Sequence, residues 1–152
     1  TIQWGSVPCI LQNGDITGYS VRYYADGPVQ TMSIFGMSLE TTLPDLVSST
    51  TYLVQVAAVN NVGTGEFSNT RSQMTLVAVP VLMVDSVTPT SVSISWTSGG
   101  SEGVSYLVEW QRDTSEDQGT VTIIDASTSY VISGLEENSR YIIRVNASNA
   151  IG

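Results

Sequence analysis

The 152-residue chain contains no histidine and no lysine; its basic residues are five arginines, at positions 22, 71, 112, 140 and 144. Without histidine, neither a Ser-His-Asp nor a Cys-His catalytic arrangement can be assembled. Five scattered arginines against fourteen acidic residues leave a net charge of -9. Nucleic-acid binding needs a basic stripe, so that class is excluded. Adhesion to an anionic membrane surface is disfavoured on the same ground. The acidity serves solubility and does not single out a basic partner. A single cysteine, Cys9, leaves no disulfide to form within the chain, so the fold has to stand on its core. Long hydrophobic runs are missing too. The longest apolar stretch, Val77 to Val84, is interrupted by Pro80 and falls far short of a membrane span. No signal-peptide pattern opens the chain, which begins Thr1-Ile2-Gln3-Trp4. Any membrane anchor is therefore expected outside these residues.

What is present is apolar and β-prone. Hydrophobic residues make up 41% and charged residues 12%, enough apolar material for a core and too much for a disordered tail. Abundant Ser, Thr and Val favour strands. The length permits one ordinary domain or two small ones, and internal repetition decides for two. Thr1-Ile2-Gln3-Trp4 returns as Ser93-Ile94-Ser95-Trp96, and Gly18 to Tyr23 returns as Ser105 to Trp110. Leu46 through Gly63 aligns without a gap to Leu135 through Gly152. The spacing is about ninety residues, too long for a solenoid repeat and suited to a self-contained sandwich. Differences in spacing fall between the blocks, where loops absorb them.

Each block alternates with period two. Ile2 and Trp4 share a face, as do Val92, Ile94 and Trp96, with Ser91, Ser93 and Ser95 opposite. Tyr19, Val21 and Tyr23 point one way and Ser20, Arg22 and Tyr24 the other; Tyr106, Val108 and Trp110 oppose Leu107, Glu109 and Gln111. Tyr52, Val54, Val56 and Ala58 match Tyr141, Ile143, Val145 and Ala147, with Gln55, Arg144 and Asn146 outward. Half-buried antiparallel strands read this way. No stretch has helical periodicity. Asn13-Gly14-Asp15, Asp26-Gly27-Pro28 and Gly99-Gly100 supply turns, and Pro44 and Pro80 mark strand borders.

These blocks together resemble the fibronectin type III domain, twice over. The carriers are the strand-B tryptophans Trp4 and Trp96, the strand-C patterns Tyr19-Val21-Tyr23 and Tyr106-Val108-Trp110, and the Leu-x5-Tyr corners Leu46/Tyr52 and Leu135/Tyr141. The strand-F runs Tyr52 to Asn60 and Tyr141 to Asn149 complete them. The resemblance implies an all-β fold of two tandem immunoglobulin-like antiparallel sandwiches, one over residues 1–76 lacking strand A and one over 77–152 lacking strand G. It implies structural roles for Trp4, Trp96, Leu46, Leu135, Tyr52 and Tyr141. Strand G of the first copy is expected near 71–75 and strand A of the second near 81–87, joined by a short linker.

Asp113, Glu116 and Asp117 read as a solvated hairpin tip, and neither they nor Glu136-Glu137-Asn138 have calcium-loop spacing. No metal site, cofactor or catalytic group is expected. Cys9 has no neighbouring base to lower its pKa. Asn146-Ala147-Ser148 is an N-glycosylation sequon with Asn146 on the outward face of its strand. Arg-Gly-Asp and Trp-Ser-x-Trp-Ser are both absent; the region comparable to the latter reads Gly65-Glu66-Phe67-Ser68, and Arg112-Asp113-Thr114 is no substitute for the former. Tyr24 and Leu107 face outward without forming an apolar patch.

The resemblance implies non-catalytic protein-interaction or spacer modules of a cell-surface adhesion or receptor-like protein. Such a segment is extracellular, and its parent is held by a single span. Its partners are a protein ligand or neighbouring modules, with no nucleic acid and no direct membrane contact. The alternatives are accessory modules of a receptor-type tyrosine phosphatase or kinase, or of a secreted carbohydrate-active enzyme, and an intracellular muscle-type scaffold.

Overall fold

The structure is a computed structural model that describes residues 1–8, 14–113 and 118–152. Among the described residues every regular element is a strand, and no helix is long and apolar enough to cross a membrane. The chain gathers into two compact units, Thr1–Leu46 with Thr51–Thr75, and Val47–Thr50 with Leu76–Gly152.

In the first unit, β1 (Ile2–Gln3) pairs with β4 (Glu40–Thr41), and a four-stranded sheet runs β3 (Gln30–Phe35), β2 (Ile16–Tyr24), β5 (Thr51–Asn60), β6 (Arg71–Met74). All pairs are antiparallel. The alternation of β2 sends Tyr19 and Val21 into the core, where Val21, Leu43 and Val54 are buried. Ile2, Trp4, Met32, Ile34, Leu46, Tyr52 and Val56 pack around them.

In the second unit, β11 (Ser129–Ser133), β8 (Ser91–Trp96) and β7 (Leu82–Val87) form one sheet, and β10 (Gln118–Ile123), β9 (Ser105–Arg112) and β12 (Tyr141–Ser148) the other. The core lies between them. Ile94, Trp96 and Ile132 come from one sheet and Tyr106 and Val108 from the other, closed by Val104 and Leu135. The pairing of β7 with β8 slips between Val84 and Ser86, a bulge of the kind that edge strands carry. Both units are therefore all-β antiparallel sandwiches, and β6 and β7 lie where the repeat places strands G and A.

One departure from simple alternation lies in β5. Ala57 faces away from the core, opposite Ser20 in register, yet is only 2% exposed. The chain after β5 folds back along that strand: Gly65 N–H donates to the Ala58 carbonyl and Ser68 N–H to the Val56 carbonyl, both at 2.9 Å.

Two left-handed backbone positions recur in both copies of the turn before β5 and β12. Asp45 (φ 52°) aligns with Gly134 (φ 76°), and Ser49 (φ 45°) with Asn138 (φ 53°). The backbone path of this corner thus demands two positive φ values, at one of which only the second copy uses glycine.

Candidate functional site

Inside each sandwich a tryptophan meets a tyrosine. Trp4 and Tyr19 lie edge to face at 5.3 Å between ring centroids with 61° between planes; Trp96 and Tyr106 lie at 5.4 Å and 58°. Such tilted pairs are favourable aromatic geometry. Neither indole N–H has a hydrogen-bond partner among the described residues. Trp96 is 3% exposed and Trp4 only half-buried. The Tyr106 hydroxyl accepts from Gly99 N–H at 2.8 Å, whereas the buried Tyr19 hydroxyl has no partner among the described residues.

At the corners, the Tyr141 hydroxyl accepts from Glu136 N–H at 3.1 Å while Leu135 sits in the core. Tyr52 packs with Leu46 against the first core, its ring 6.4 Å from that of Tyr23.

The acidic residues do not converge. Glu136 is paired with Arg112 at 2.5 Å, and Asp113 faces Arg140 at 3.7 Å; both pairs are solvent-facing and of small energetic weight. Among the described residues no group of three or more His, Cys, Asp or Glu could hold a metal ion. Cys9, Glu116 and Asp117 lie outside the described residues. The Ser127 N–H donates to Asp125 at 3.1 Å, and with the Ser127 side chain holds its carboxyl below the ordinary value.

What remains is the outer face of the β3-β2-β5-β6 sheet in the first unit and of the matching β10-β9-β12 sheet in the second, and the two faces differ. In the first unit the Arg22 guanidinium sits 3.9 Å from the centre of the Phe67 ring, and its Nε donates to Gln55 Oε1 at 2.8 Å. Gln55 Nε2 in turn donates to the Ser68 carbonyl at 2.9 Å. The segment that carries Phe67 returns along β5, so the ring reaches Arg22 on β2 across the outer side of that strand. Further along, Phe35, Gly18 and Val59 line up across three strands, with Phe35 90% exposed. A groove of about 1530 Å³ borders the same unit, lined by Ile2, Trp4, Val54, Val56 and Val59 among others.

In the second unit the aligned face is bare and polar. Glu109 stands opposite Arg144, and Leu107 opposite Asn146. Asn146 is exposed, and its Nδ2 donates to Glu109 Oε2 at 3.3 Å. Ser148, two residues on, shares a 3.0 Å hydroxyl contact with Ser105. Tyr24 and Leu107, read from sequence as outward, are half-buried. At the far edge of this sheet, an added Cβ on Gly119 would run into the Trp110 ring lying against it.

The model of the fibronectin type III domain matches residues 1–74 and again residues 78–152. The chain belongs to the fibronectin type III domain family. The fibronectin type III domain is a non-catalytic module. The chain is 29% identical over 160 residues to receptor-type tyrosine-protein phosphatase S of Gallus gallus, covering 99% of this chain and 10% of that protein. It is 30% identical over 158 residues to neogenin of Homo sapiens, covering 95% of this chain and 11% of neogenin. The chain thus spans about a tenth of the length of these relatives. Among solved structures, a two-domain fibronectin type III segment from chicken tenascin superposes with a TM-score of 0.61 at 21% identity, covering 91% of this chain and 79% of that one; this likeness concerns the fold alone.

Sequence reasoning missed the Arg22–Phe67 stack, although Phe67 had been placed in the comparable region. Its only signal was an arginine on an outward strand position with an aromatic residue in the returning segment. The Gly119–Trp110 contact had a clearer one, a glycine inside an otherwise alternating strand.

Proposed function

We propose that the chain is part of the extracellular region of a cell-surface adhesion or receptor-like protein, in which two modules, residues 1–76 and 77–152, serve as protein-binding and spacer elements. The observation that carries this reading is the match along nearly the whole chain to a receptor-type protein and to neogenin, with only about a tenth of each relative covered. Repeated non-catalytic modules in long chains separate and present surfaces. The two outer sheet faces support the reading: a common inner frame carries an arginine–aromatic face in one module and a polar one in the other. The partners are a protein ligand or neighbouring modules. The parent is held by a single span, and Trp4, Trp96, Leu46, Leu135, Tyr52 and Tyr141 act as framework.

The test is to stain intact cells expressing the full-length parent with an antibody raised against this segment. Staining without permeabilisation is the expected result. Staining that needs permeabilisation sinks the extracellular reading and favours a scaffold. The isolated segment should show no turnover of ester, peptide or glycoside substrates.

A second reading is favoured by the phosphatase relative: these are the accessory modules of a receptor-type tyrosine phosphatase. A phosphatase domain further along the parent's reading frame would establish it. Its absence would leave the adhesion reading.

A further inference from the structure

We propose that Asn146 is an N-glycosylation site whose glycan lies on the outer face of β9 and β12, so that the second module is sugar-covered where the first is protein-covered. This rests on the extracellular reading. Three observations converge on it. Period-two alternation puts Asn146 and Ser148, the two recognised members of the sequon, on the same outward side of β12, and both are exposed. The neighbour directly opposite Asn146 is Leu107, a half-buried apolar residue on which the apolar face of a pyranose ring can rest. The existing bond from Nδ2 to Glu109 Oε2 uses one amide proton. Glycosylation consumes the other, so the rotamer that aims the side chain along the sheet survives the modification.

The donor is a polyprenyl-pyrophosphate-linked oligosaccharide. Asn146 Nδ2 bonds to C1 of its first N-acetylglucosamine as the C1–O bond to pyrophosphate breaks. The electron pair leaves with the lipid pyrophosphate, and the amide proton passes to the transferase.

The aligned position in the first module shows the contrast. It is Ala57, 2% exposed on the strand along which the segment carrying Phe67 folds back, where neither a sequon nor room for a sugar exists. A strap of that kind and a glycan at Asn146 exclude each other. Occupancy at Asn146 therefore also means that the outer face of the second module stays free of protein cover.

The experiment is to secrete the 152-residue chain from mammalian cells behind a supplied signal peptide and map the modification by intact mass and peptide sequencing. The expected result is one glycan, removed by peptide N-glycosidase with conversion of residue 146 to aspartate. It should be lost in Asn146→Gln and Ser148→Ala and kept in Ser148→Thr. Arg140→Thr completes a second sequon at exposed Asn138 and reports whether the chain meets the transferase. A secreted chain glycosylated at Asn138 but bare at Asn146 overturns the proposal. Because the signal peptide is supplied, that failure concerns the site alone, while the parent's address is read separately by staining intact cells.

Discussion

The two modules share an inner frame and differ in how completely they finish it. The Trp–Tyr pairs agree to 0.1 Å in separation, 5.3 against 5.4 Å, so backbone and packing converge on one geometry from different sequences. Around that pair, among the described residues, the core cluster of the second module buries five further hydrophobic residues and that of the first buries three. Trp96 is sealed and Trp4 half-open; Tyr106 has its hydroxyl partnered and Tyr19 has none among the described residues. The lesson is that the pattern specifying the fold is separable from the packing that stabilises it. On the outer face the order reverses, because there it is the first module that is knitted together, by Phe67, Arg22 and Gln55.

This contrast can be broken or sharpened by substitution, with native-state hydrogen exchange followed separately on peptides from each module. The largest expected effect is Trp96→Ala, about 3–5 kcal/mol from the second module by loss of a buried ring. Trp4→Ala should cost visibly less in the first, and equal losses would erase the comparison. Gly119→Val, which forces a side chain into Trp110, should cost roughly 1–3 kcal/mol of overpacking; an unchanged module would mean that the ring moves aside freely. Tyr106→Phe strands the buried Gly99 N–H and should cost about 1–3 kcal/mol, whereas Tyr19→Phe should be close to neutral or stabilising. Asp45→Gly copies the residue of the second module into the first at a left-handed position and should add about 0.5–1 kcal/mol; the reciprocal Gly134→Asp should subtract a similar amount. The smallest effect concerns Asp125. Its pKa in the folded state is lowered by the Ser127 N–H, so its contribution is present above the ordinary carboxylate pKa of about 3.9 and is lost as pH falls through the folded value. Asp125→Ala should remove a slight acid sensitivity from the second module and leave the first untouched. A pH profile unchanged by the substitution would discount that bond.

The long strands were legible because five or more residues in strict alternation leave one reading. β6 and β7 emerge at Arg71–Met74 and Leu82–Val87, close to the 71–75 and 81–87 expected. The short strands were not. β4 is two residues long and pairs only through Ile2 and Gln3, and no period can be read from two residues. β3, β10 and β11 went unread because each offers only two alternating inward apolar residues, Met32 and Ile34, Val121 and Ile123, Tyr130 and Ile132. The outer faces were less legible still. Burial of Ala57 on the solvent side of β5 depends on a segment eight to eleven residues later folding back, a non-local event without local signature. Conversely, the sequence placed Asn146 outward from alternation alone, and the structure places it beside Glu109 and opposite Leu107.

The aromatic pairs have an optical consequence. The chain has three tryptophans, and each ring sits near a tyrosine: Trp4 by Tyr19, Trp96 by Tyr106 and Trp110 by Tyr130, the last at 6.3 Å. Light absorbed by those tyrosines passes to the neighbouring indole while the fold holds them together and is emitted by the phenol once they part. Each sandwich thus carries its own built-in reporter, one emitter in the first and two in the second, by which either module can be watched coming apart without an attached dye.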